Sequence, residues 1–126
     1  MRTGSCNCGG VRFEIAGEMP AASVCHCGQC RRQSGHVWAS THVPDDQLTL
    51  TAQEGLRWYR SSDRAQRGFC GTCGSFLFWK AEGEAATSIA MGALDAPTGL
   101  HLARHIFVAD KGDYYDITDD LPRRAQ

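Results

Sequence analysis

The cysteines of this sequence lie in three short groups, and their spacing indicates metal chemistry. The central group is Cys25-His26-Cys27-Gly28-Gln29-Cys30, in which three thiols lie within six residues. Thiolate–zinc bonds are about 2.3 Å long in a tetrahedral site, so neighbouring sulfurs must lie about 3.8 Å apart. A fully extended Cys-x-Cys would separate its side chains by roughly 6.6 Å. The chain must therefore curl here, and Gly28, which tolerates positive φ, is expected to allow the curl.

No fourth ligand stands beside Cys25, Cys27 and Cys30 in the sequence. A closed structural zinc site needs four protein ligands, whereas a catalytic site keeps one position open. We therefore interpret the central group as a three-thiolate zinc site with an exchangeable fourth position. His26 lies between two of the ligands and is expected to point away from the metal, as a neighbouring or surface group.

Two further cysteine pairs flank the central group: Cys6 with Cys8, and Cys70 with Cys73. Together they supply the four thiolates of a closed structural zinc site, and the glycines after each pair would let backbone amides point at sulfur. A rival partition combines Cys6 and Cys8 with two central cysteines and leaves Cys70 and Cys73 as a redox dithiol. A redox Cys-x-x-Cys normally lies near a βαβ pattern, whereas strands and glycine-rich turns surround this one. The sequence predicts zinc because thiolates favour soft metals, and it leaves iron open.

The bulk composition is that of an ordinary globular protein. The chain has 126 residues, 42% of them hydrophobic and 21% charged, with a formal net charge of −1. This balance predicts one domain, residues 1–126, and gives no electrostatic reason to expect nucleic acid or a membrane as partner. The cysteine count of seven is odd, and the first residues lack the apolar core of an export signal. We therefore expect a cytoplasmic protein without a disulfide framework. The oligomeric state stays open.

Short alternating segments separated by Gly, Asp, Ser and Pro predict an all-β fold, because no segment carries a helical period of ten or more residues. The predicted strands cover residues 11–15, 36–43, 48–51, 56–60, 75–80, 87–91 and 105–108. The strand at 75–80 is apolar on both faces, which indicates a central position. Single helical turns are expected at 29–34, ended by Gly35, and near 94–96.

Aromatic and histidine side chains receive simpler interpretations. Five aromatic residues are expected in the core: Trp38, Trp58, Phe76, Phe78 and Trp79. Two of these, Trp38 and Trp79, are also candidates for the wall of a pocket. The histidines outside the central group are interpreted as strand or loop residues rather than ligands: His36, His42, His101 and His105.

The order of the cysteine groups resembles the glutathione-dependent formaldehyde-activating (GFA), centromere protein V-like family. The resemblance rests on Cys-x-Cys-Gly at residues 6–9, Cys-His-Cys-x-x-Cys-Arg-Arg at 25–32, Cys-Gly-Thr-Cys-Gly at 70–74, and the closing segments 103–108 and 119–122. It implies the Mss4-like (β-tent) fold, built of antiparallel sheets with zinc sites between hairpins. It also implies a structural zinc held by Cys6, Cys8, Cys70 and Cys73, and a catalytic zinc held by Cys25, Cys27 and Cys30. Asp113-Tyr114-Tyr115 departs from the pattern, since many members carry a tryptophan there.

The resemblance implies a carbon–sulfur lyase-type enzyme that condenses glutathione with formaldehyde or a similar aldehyde to S-hydroxymethylglutathione. Three thiolates leave zinc with a net charge of −1, which weakens its Lewis acidity and suits the uptake of a further thiolate. Arg31 and Arg32 are expected to offset this charge and bind the carboxylates of glutathione, or to be solvated surface residues. The alternatives are a glutathione-adduct binder, a non-catalytic zinc module for protein interaction, and a thiol redox switch.

Overall fold

Ten strands and one α-helix form the regular structure, which the computed structural model describes over residues 1–126. The predicted all-β class is therefore confirmed. The elements, in chain order, are β1 (Arg2–Ser5), β2 (Arg12–Ile15), β3 (Ala22–Cys25), α1 (Gly28–Ser34), β4 (Trp38–Pro44), β5 (Leu48–Ala52), β6 (Leu56–Arg60), β7 (Ala65–Cys70), β8 (Phe76–Ala81), β9 (Ala86–Ala90) and β10 (Leu102–Ile106). Short 3₁₀ turns cover Asp45–Gln47, Met91–Ala93 and Val108–Asp110. None of these helical segments combines the length and apolarity that crossing a bilayer requires.

The strands form two sheets. The small sheet has the order β1-β2-β5, and the large sheet has the order β10-β3-β4-β9-β8-β7-β6. All pairs are antiparallel except β3 with β10, which are parallel. The resemblance implied antiparallel sheets, and the parallel pairing of β3 with β10 is the one departure from that expectation. A parallel pair needs a long connection between its strands, and here most of the chain separates them.

The core lies between the small sheet and the middle of the large sheet. Val11, Phe13 and Ile15 point inward, as the alternation at 11–15 predicts, and at most 1% of each is exposed. The Phe13 ring meets the Phe78 ring of β8 edge to face, with centroids 5.4 Å apart. Both Phe78 and its neighbour Leu77 are buried although they point to opposite faces of β8. This strand lies between β7 and β9, so its predicted central position is confirmed.

The sequence pattern missed β1 because Arg2-Thr3-Gly4-Ser5 has no apolar alternation. At Gly4 the backbone of β1 approaches the Phe13 ring closely. A Cβ at this position would lie 2.4 Å from Phe13 Cζ, so the close approach depends on the absence of a side chain. The last strand lies earlier than predicted: β10 ends at Ile106, and the next residue, Phe107, has a left-handed φ of 55°. The turn expected near 94–96 lies at Met91–Ala93.

The aromatic residues divide between core and surface. Trp38 and Phe78 are buried, as predicted, and Phe76 and Trp79 are half-buried. The prediction for Trp58 is wrong, because 41% of this residue is exposed. It lies on β6, the edge strand of the large sheet, where one side of the strand has no neighbour to cover it.

Candidate metal centres

The first cluster combines the cysteine pairs that lie farthest apart in the sequence. Cys6 and Cys8 lie in the loop between β1 and β2, Cys70 ends β7, and Cys73 lies in the turn to β8. Their four sulfurs all lie within 4.8 Å of one another. The Sγ atoms of Cys6 and Cys8 are 3.6 Å apart, and those of Cys8 and Cys70 are 3.7 Å apart. These separations match the ~3.8 Å expected between the thiolates of a tetrahedral zinc site. We call this group the four-cysteine cluster.

Hydrogen-bond donors surround the sulfurs of the four-cysteine cluster. The Val11 amide donates to Cys6 Sγ at 3.3 Å, and the Gly10 amide donates to Cys8 Sγ at 3.4 Å. Hydrogen bonds from Ser75 lower the pKa of Cys73 to about 5. Donors of this kind stabilise the thiolate, which is the form of cysteine that binds a metal.

Glycines let the backbone approach these sulfurs closely. Gly9 and Gly74 each follow the second cysteine of a pair, and both have a φ of +82°, a conformation that glycine adopts without strain. A Cβ at Gly55 would lie 3.0 Å from Cys70 Sγ. The pair glycines were expected from the sequence. Gly55 was not, because it is distant in sequence from every cysteine.

The second cluster is formed at the junction of β3 and α1. Cys25 ends β3, Cys27 is the N-cap residue of α1, and Cys30 lies in its first turn. The three sulfurs lie within 4.8 Å of one another, and no other His, Cys, Asp or Glu side chain joins the group. The Cys27 Sγ accepts a hydrogen bond from the Cys30 amide at 3.3 Å. We call this group the three-cysteine cluster.

The curl at the three-cysteine cluster has a different origin from the one expected. Gly28 is the first residue of α1 and has no positive φ, so that part of the prediction is wrong. The helix begins directly after Cys27, and residues three apart lie on one side of a helical turn. The helix start therefore brings Cys27 and Cys30 together. Gly35 ends the helix with a φ of +89°, and the predicted turn at 29–34 is confirmed.

A buried arginine contacts the three-cysteine cluster from the large sheet. Arg67 on β7 is 5% exposed, and its Nη1 lies 3.5 Å from Cys30 Sγ and 3.2 Å from Gln33 Oε1. Its guanidinium also lies over the Phe76 ring, 5.3 Å from the centroid. Sequence reasoning missed Arg67. The available signal was a charged residue at an inward position of the strand that leads into Cys70.

The thiols of the three-cysteine cluster differ in acidity. A hydrogen bond from the Cys25 thiol lowers the pKa of Cys30 to about 6, and the Arg67 guanidinium acts in the same direction. The same bond raises the pKa of Cys25, and so does burial. One thiol of the cluster is therefore ready to act as a thiolate near neutral pH, with a fixed positive charge beside it.

His26 points away from the sulfurs into a chain of hydrogen bonds. Its Nδ1 lies 2.5 Å from Tyr115 Oη, and its Nε2 lies 2.8 Å from His105 Nδ1. The Nε2 of His105 lies 3.0 Å from a carboxylate oxygen of Asp119. Burial lowers the pKa of His26 and raises that of Tyr115, which favours a neutral imidazole and a protonated phenol. We call these four residues the histidine chain.

The histidine chain attaches the carboxyl-terminal segment to the three-cysteine cluster. Both imidazoles are buried, with 2% of His26 and 6% of His105 exposed. The backbone of His105 also bonds to Pro122 and Arg124, which holds the same segment. His105 was expected to be an ordinary strand or loop residue, and it lies on β10. Its contact with His26 depends on the parallel pairing of β3 and β10, which the sequence pattern does not reveal.

Two adjoining cavities share Gln33, Gly74 and Phe76 in their linings, and none of the cysteines of the three-cysteine cluster lines either one. The larger, of about 710 Å³, runs from Cys6 and Ser75 to Trp38 and Phe76. Trp38 therefore lines a cavity, as proposed from the sequence, whereas Trp79 packs against the cluster and does not line this cavity. The second, of about 550 Å³, is lined by Gln29, Arg32, Gln33, Tyr59, Arg67, Phe69, Gly74 and Phe76. We call it the arginine cavity.

The two consecutive arginines of α1 lie in different surroundings. Arg32 is exposed and lines the arginine cavity. Arg31 is half-buried and is not among the residues that line either cavity. Its charge acts on Tyr115, where it opposes the rise of the phenol pKa. The structure thus separates two residues that the sequence treated as equivalent.

The donor sets of both clusters fit zinc. Four convergent sulfurs provide a complete tetrahedral shell in the four-cysteine cluster, and three provide an incomplete one in the three-cysteine cluster. All seven ligands are sulfur, which excludes a preference for magnesium or calcium. Both imidazole nitrogens of His26 are engaged in hydrogen bonds, with Tyr115 and with His105. This side chain therefore does not supply a fourth ligand to the three-cysteine cluster.

The fold and its clusters define a mostly β protein with two groups of convergent cysteines that could each hold a metal ion, one with four sulfurs and one with three. Comparison with known families then assigns the chain: the sequence model of the family described as "Glutathione-dependent formaldehyde-activating enzyme" (GFA) matches residues 1–110. The protein belongs to this family.

Individual relatives agree with that assignment. The chain is 26% identical over 121 residues to an uncharacterized lyase of Schizosaccharomyces pombe, a match covering 92% of this chain and 85% of the relative. A Halomonas elongata protein named as a glutathione-dependent formaldehyde-activating enzyme is 30% identical over 83 residues, covering 60% of this chain and 53% of the relative. The crystal structure of a Rhodobacter sphaeroides protein has a similar fold, with a TM-score of 0.63 and 25% identity, covering 75% of this chain and 88% of the other.

Proposed function

We propose that this protein is a zinc-dependent, carbon–sulfur lyase-type enzyme that condenses glutathione with formaldehyde, or a similarly small aldehyde, to S-hydroxymethylglutathione. Family membership and the names of the relatives support glutathione and formaldehyde as substrates. The observation that carries the proposal is the unequal ligand count of the two clusters, four sulfurs in one and three in the other.

We assign a structural role to Cys6, Cys8, Cys70 and Cys73, and the catalytic metal to Cys25, Cys27 and Cys30. Zinc held by three thiolates would keep an incoming thiol in its thiolate form at neutral pH. Arg67 faces Cys30 and offsets negative charge at the three-cysteine cluster. The aromatic pair Trp38 and Phe76, stacked with centroids 4.2 Å apart, packs against the three-cysteine cluster and lines the larger cavity.

The reaction needs one new bond and one proton transfer. The glutathione sulfur attacks the aldehyde carbon, a carbon–sulfur bond forms, and the π electrons of the C=O bond move to oxygen. That oxygen then takes up the proton that the thiol released. No oxidant or reductant is needed, because the new carbon–sulfur bond replaces the π bond to oxygen and the oxidation state of the carbon is unchanged. The protein would lower the barrier by holding the thiolate in place for attack on the aldehyde.

Cobalt substitution followed by glutathione titration tests the proposal. We expect two cobalt equivalents per chain and a change in the thiolate-to-cobalt absorption of only one of them at millimolar glutathione. The protein should also raise the exchange rate between ¹³C-formaldehyde and its glutathione adduct, measured by NMR, above the rate in buffer. The matched control is Cys27→Ser, which should keep one cobalt equivalent and lose both responses.

Two results would overturn the proposal. The first is an unchanged cobalt spectrum at millimolar glutathione, which would favour a non-catalytic zinc module. The second is a spectral change without faster exchange, which would favour a binder of glutathione or its adduct. A ready oxidation of Cys25 or Cys30 in place of metal binding would instead indicate a redox switch.

A further inference from the structure

The three-cysteine cluster is enclosed in the folded chain. Only 8% of Cys25 and 3% of Cys30 are exposed, and Cys27 is half-buried. No cysteine of the cluster lines either of the two large cavities. Three sulfurs leave one position of a tetrahedral metal shell for a further ligand. A ligand from solvent therefore needs part of the chain to move before it can take that position.

One segment beside the cluster has the contacts of a movable element. Residues 111–121, which we call the 111–121 loop, contain no helix or strand, and none of them is buried. Residues 112–121 make no backbone–backbone hydrogen bond. The ends of the loop are fixed, because the Val108 amide donates to the Arg124 carbonyl and the His105 amide to the Pro122 carbonyl. Segments with few buried contacts open at low cost in free energy, and compact surface loops with fixed ends are frequently functional.

Two side chains anchor the 111–121 loop to buried histidines of the body of the protein. Tyr115 Oη lies 2.5 Å from His26 Nδ1, and a carboxylate oxygen of Asp119 lies 3.0 Å from His105 Nε2. The two histidines are joined to each other by the 2.8 Å bond between His26 Nε2 and His105 Nδ1. The loop is therefore attached by side chains at two points that belong to one buried pair.

Tyr115 places the loop against the elements that carry the ligands. His26 lies between Cys25 and Cys27, just before α1, and His36 follows the helix. The Tyr115 ring is stacked on His26, with centroids 5.6 Å apart, and meets His36 edge-on, with centroids 4.5 Å apart. Burial is the main cause that raises the pKa of Tyr115, and the charge of the nearby Cys25 acts in the same direction. The loop thus covers the cluster on the side of His26.

We infer that the 111–121 loop is a lid over the three-cysteine cluster, anchored at His26 and His105, and that a ligand reaches the remaining metal position when this loop lifts. The lid goes beyond the proposed reaction, since it controls access for any small ligand of the metal. Lifting breaks the two side-chain anchors and leaves both sheets and the backbone bonds at the ends of the loop intact. Opening of a lid limits the turnover of many enzymes.

Carbethoxylation of the zinc-loaded protein by diethyl pyrocarbonate tests the inference, because this reagent modifies the imidazole nitrogens that it can reach. Peptide mass spectrometry follows His26 and His105, with the exposed His42 as internal reference. Asp119→Asn is examined at His26, and Tyr115→Phe at His105. Each variant is thus examined at the histidine whose own partner in the loop is unchanged.

Asp120→Asn is the matched control for Asp119→Asn. It removes the same charge from the same loop, and Asp120 is exposed and forms no salt bridge. Metal transfer to a chromogenic chelator is measured on the same variants. The release phase of the four-cysteine cluster reports whether the fold is intact.

We expect Asp119→Asn to raise the carbethoxylation rate of His26, relative to His42, about fivefold, as the loss of one partly exposed hydrogen bond predicts. Tyr115→Phe should do the same at His105, and Asp120→Asn should change the rate at His26 less than about twofold. Metal release from the three-cysteine cluster should accelerate by a similar factor in the two anchor variants, with the four-cysteine phase unchanged.

Three results would overturn the lid: an unchanged rate at His26 in Asp119→Asn, an equal acceleration in Asp120→Asn, or faster carbethoxylation without faster metal release. Neither measurement uses glutathione or formaldehyde, so the lid and the proposed reaction fail separately. If the anchor variants behave as expected while the protein does not accelerate exchange of formaldehyde with its glutathione adduct, the lid stands and the reaction is wrong. If exchange is accelerated and Asp119→Asn leaves His26 unchanged, the reaction stands and the lid is wrong.

Discussion

The two cysteine clusters contain the same kind of ligand atom but differ in what surrounds the sulfurs. In the four-cysteine cluster the sulfurs accept hydrogen bonds from backbone amides and from Ser75, in loops that glycines make tight. In the three-cysteine cluster the neighbours are side chains from distant strands: a buried arginine, a chain of histidines and the walls of two cavities. Tertiary packing brings Cys8 and Cys70 together across 62 residues of sequence, and backbone amides then donate to the sulfurs of the four-cysteine cluster. The three-cysteine cluster is formed within residues 25–30, and tertiary contacts supply its surroundings.

The comparison predicts that losing one cysteine has unequal consequences in the two clusters, and this is the largest expected effect. Cys70→Ser removes a ligand that is fully buried in the main core. Structural zinc contributes ~10–16 kcal/mol in small peptides, comparable to the stability of a whole domain, so we expect this variant to be unfolded. Cys27→Ser should remain folded with one metal per chain. Circular dichroism and metal content check both outcomes, and identical behaviour of the two variants would refute the division of roles.

Arg67 contacts the three-cysteine cluster and not the four-cysteine cluster, so its substitution should affect the first of these alone. Residues that contact metal ligands typically change metal affinity 10–100-fold when mutated, so Arg67→Gln should weaken metal binding at the three-cysteine cluster by roughly that factor. The metal of the four-cysteine cluster should be unaffected. Chelator competition, followed as two separate release phases, measures both. Arg57→Gln is the control, since Arg57 is exposed and donates to the carbonyls of Glu54 and Leu56. Equal weakening of both phases would contradict the prediction.

A pair of glycine substitutions tests how tightly each cluster is enclosed. Gly55→Ala places a methyl group 3.0 Å from Cys70 Sγ, and overpacking of this kind typically costs about 1–3 kcal/mol. At Gly28 the nearest atom to an added Cβ is Arg31 Nη2, at 3.6 Å. Gly28→Ala should therefore leave stability unchanged or raise it by less than about 1 kcal/mol, because alanine favours the helix. Urea unfolding of the metal-loaded proteins distinguishes the two, and equal midpoints would contradict the expectation.

The smallest predicted effect concerns the histidine chain. Tyr115→Phe removes the hydrogen bond to Nδ1 of the buried His26 and should lower the free energy of unfolding by about 1 kcal/mol. It should also speed metal release from the three-cysteine cluster while leaving the four-cysteine phase unchanged. Tyr114→Phe is the matched control, because the partner of its hydroxyl is the exposed His36. Unfolding and release curves that match for the two variants would show that the chain does not support the cluster.

Sequence and structure each determined a different part of this protein. The three cysteines within residues 25–30 and the pair glycines Gly9 and Gly74 indicated candidate metal sites before any fold was known, because the spacing within a cysteine group is a local property of the chain. Alternation in the same way predicted most strands, including the central position of β8. The alternation did not predict the polar strand β1 or the exposure of Trp58, because burial depends on neighbouring strands that the local pattern does not contain.

Only the tertiary structure decided what surrounds the ligands. Arg67 reaches Cys30 across 37 residues of sequence, and His26 meets His105 across 79. The second contact exists because β10 joins β3 in parallel, a pairing that no local period encodes. The different surroundings of Arg31 and Arg32 arise in the same way, since a helix turns adjacent side chains to different neighbours. The spacing within each cysteine group was therefore local information, whereas the joining of the two flanking pairs into one cluster and the charge environment of the sulfurs were set by the tertiary structure.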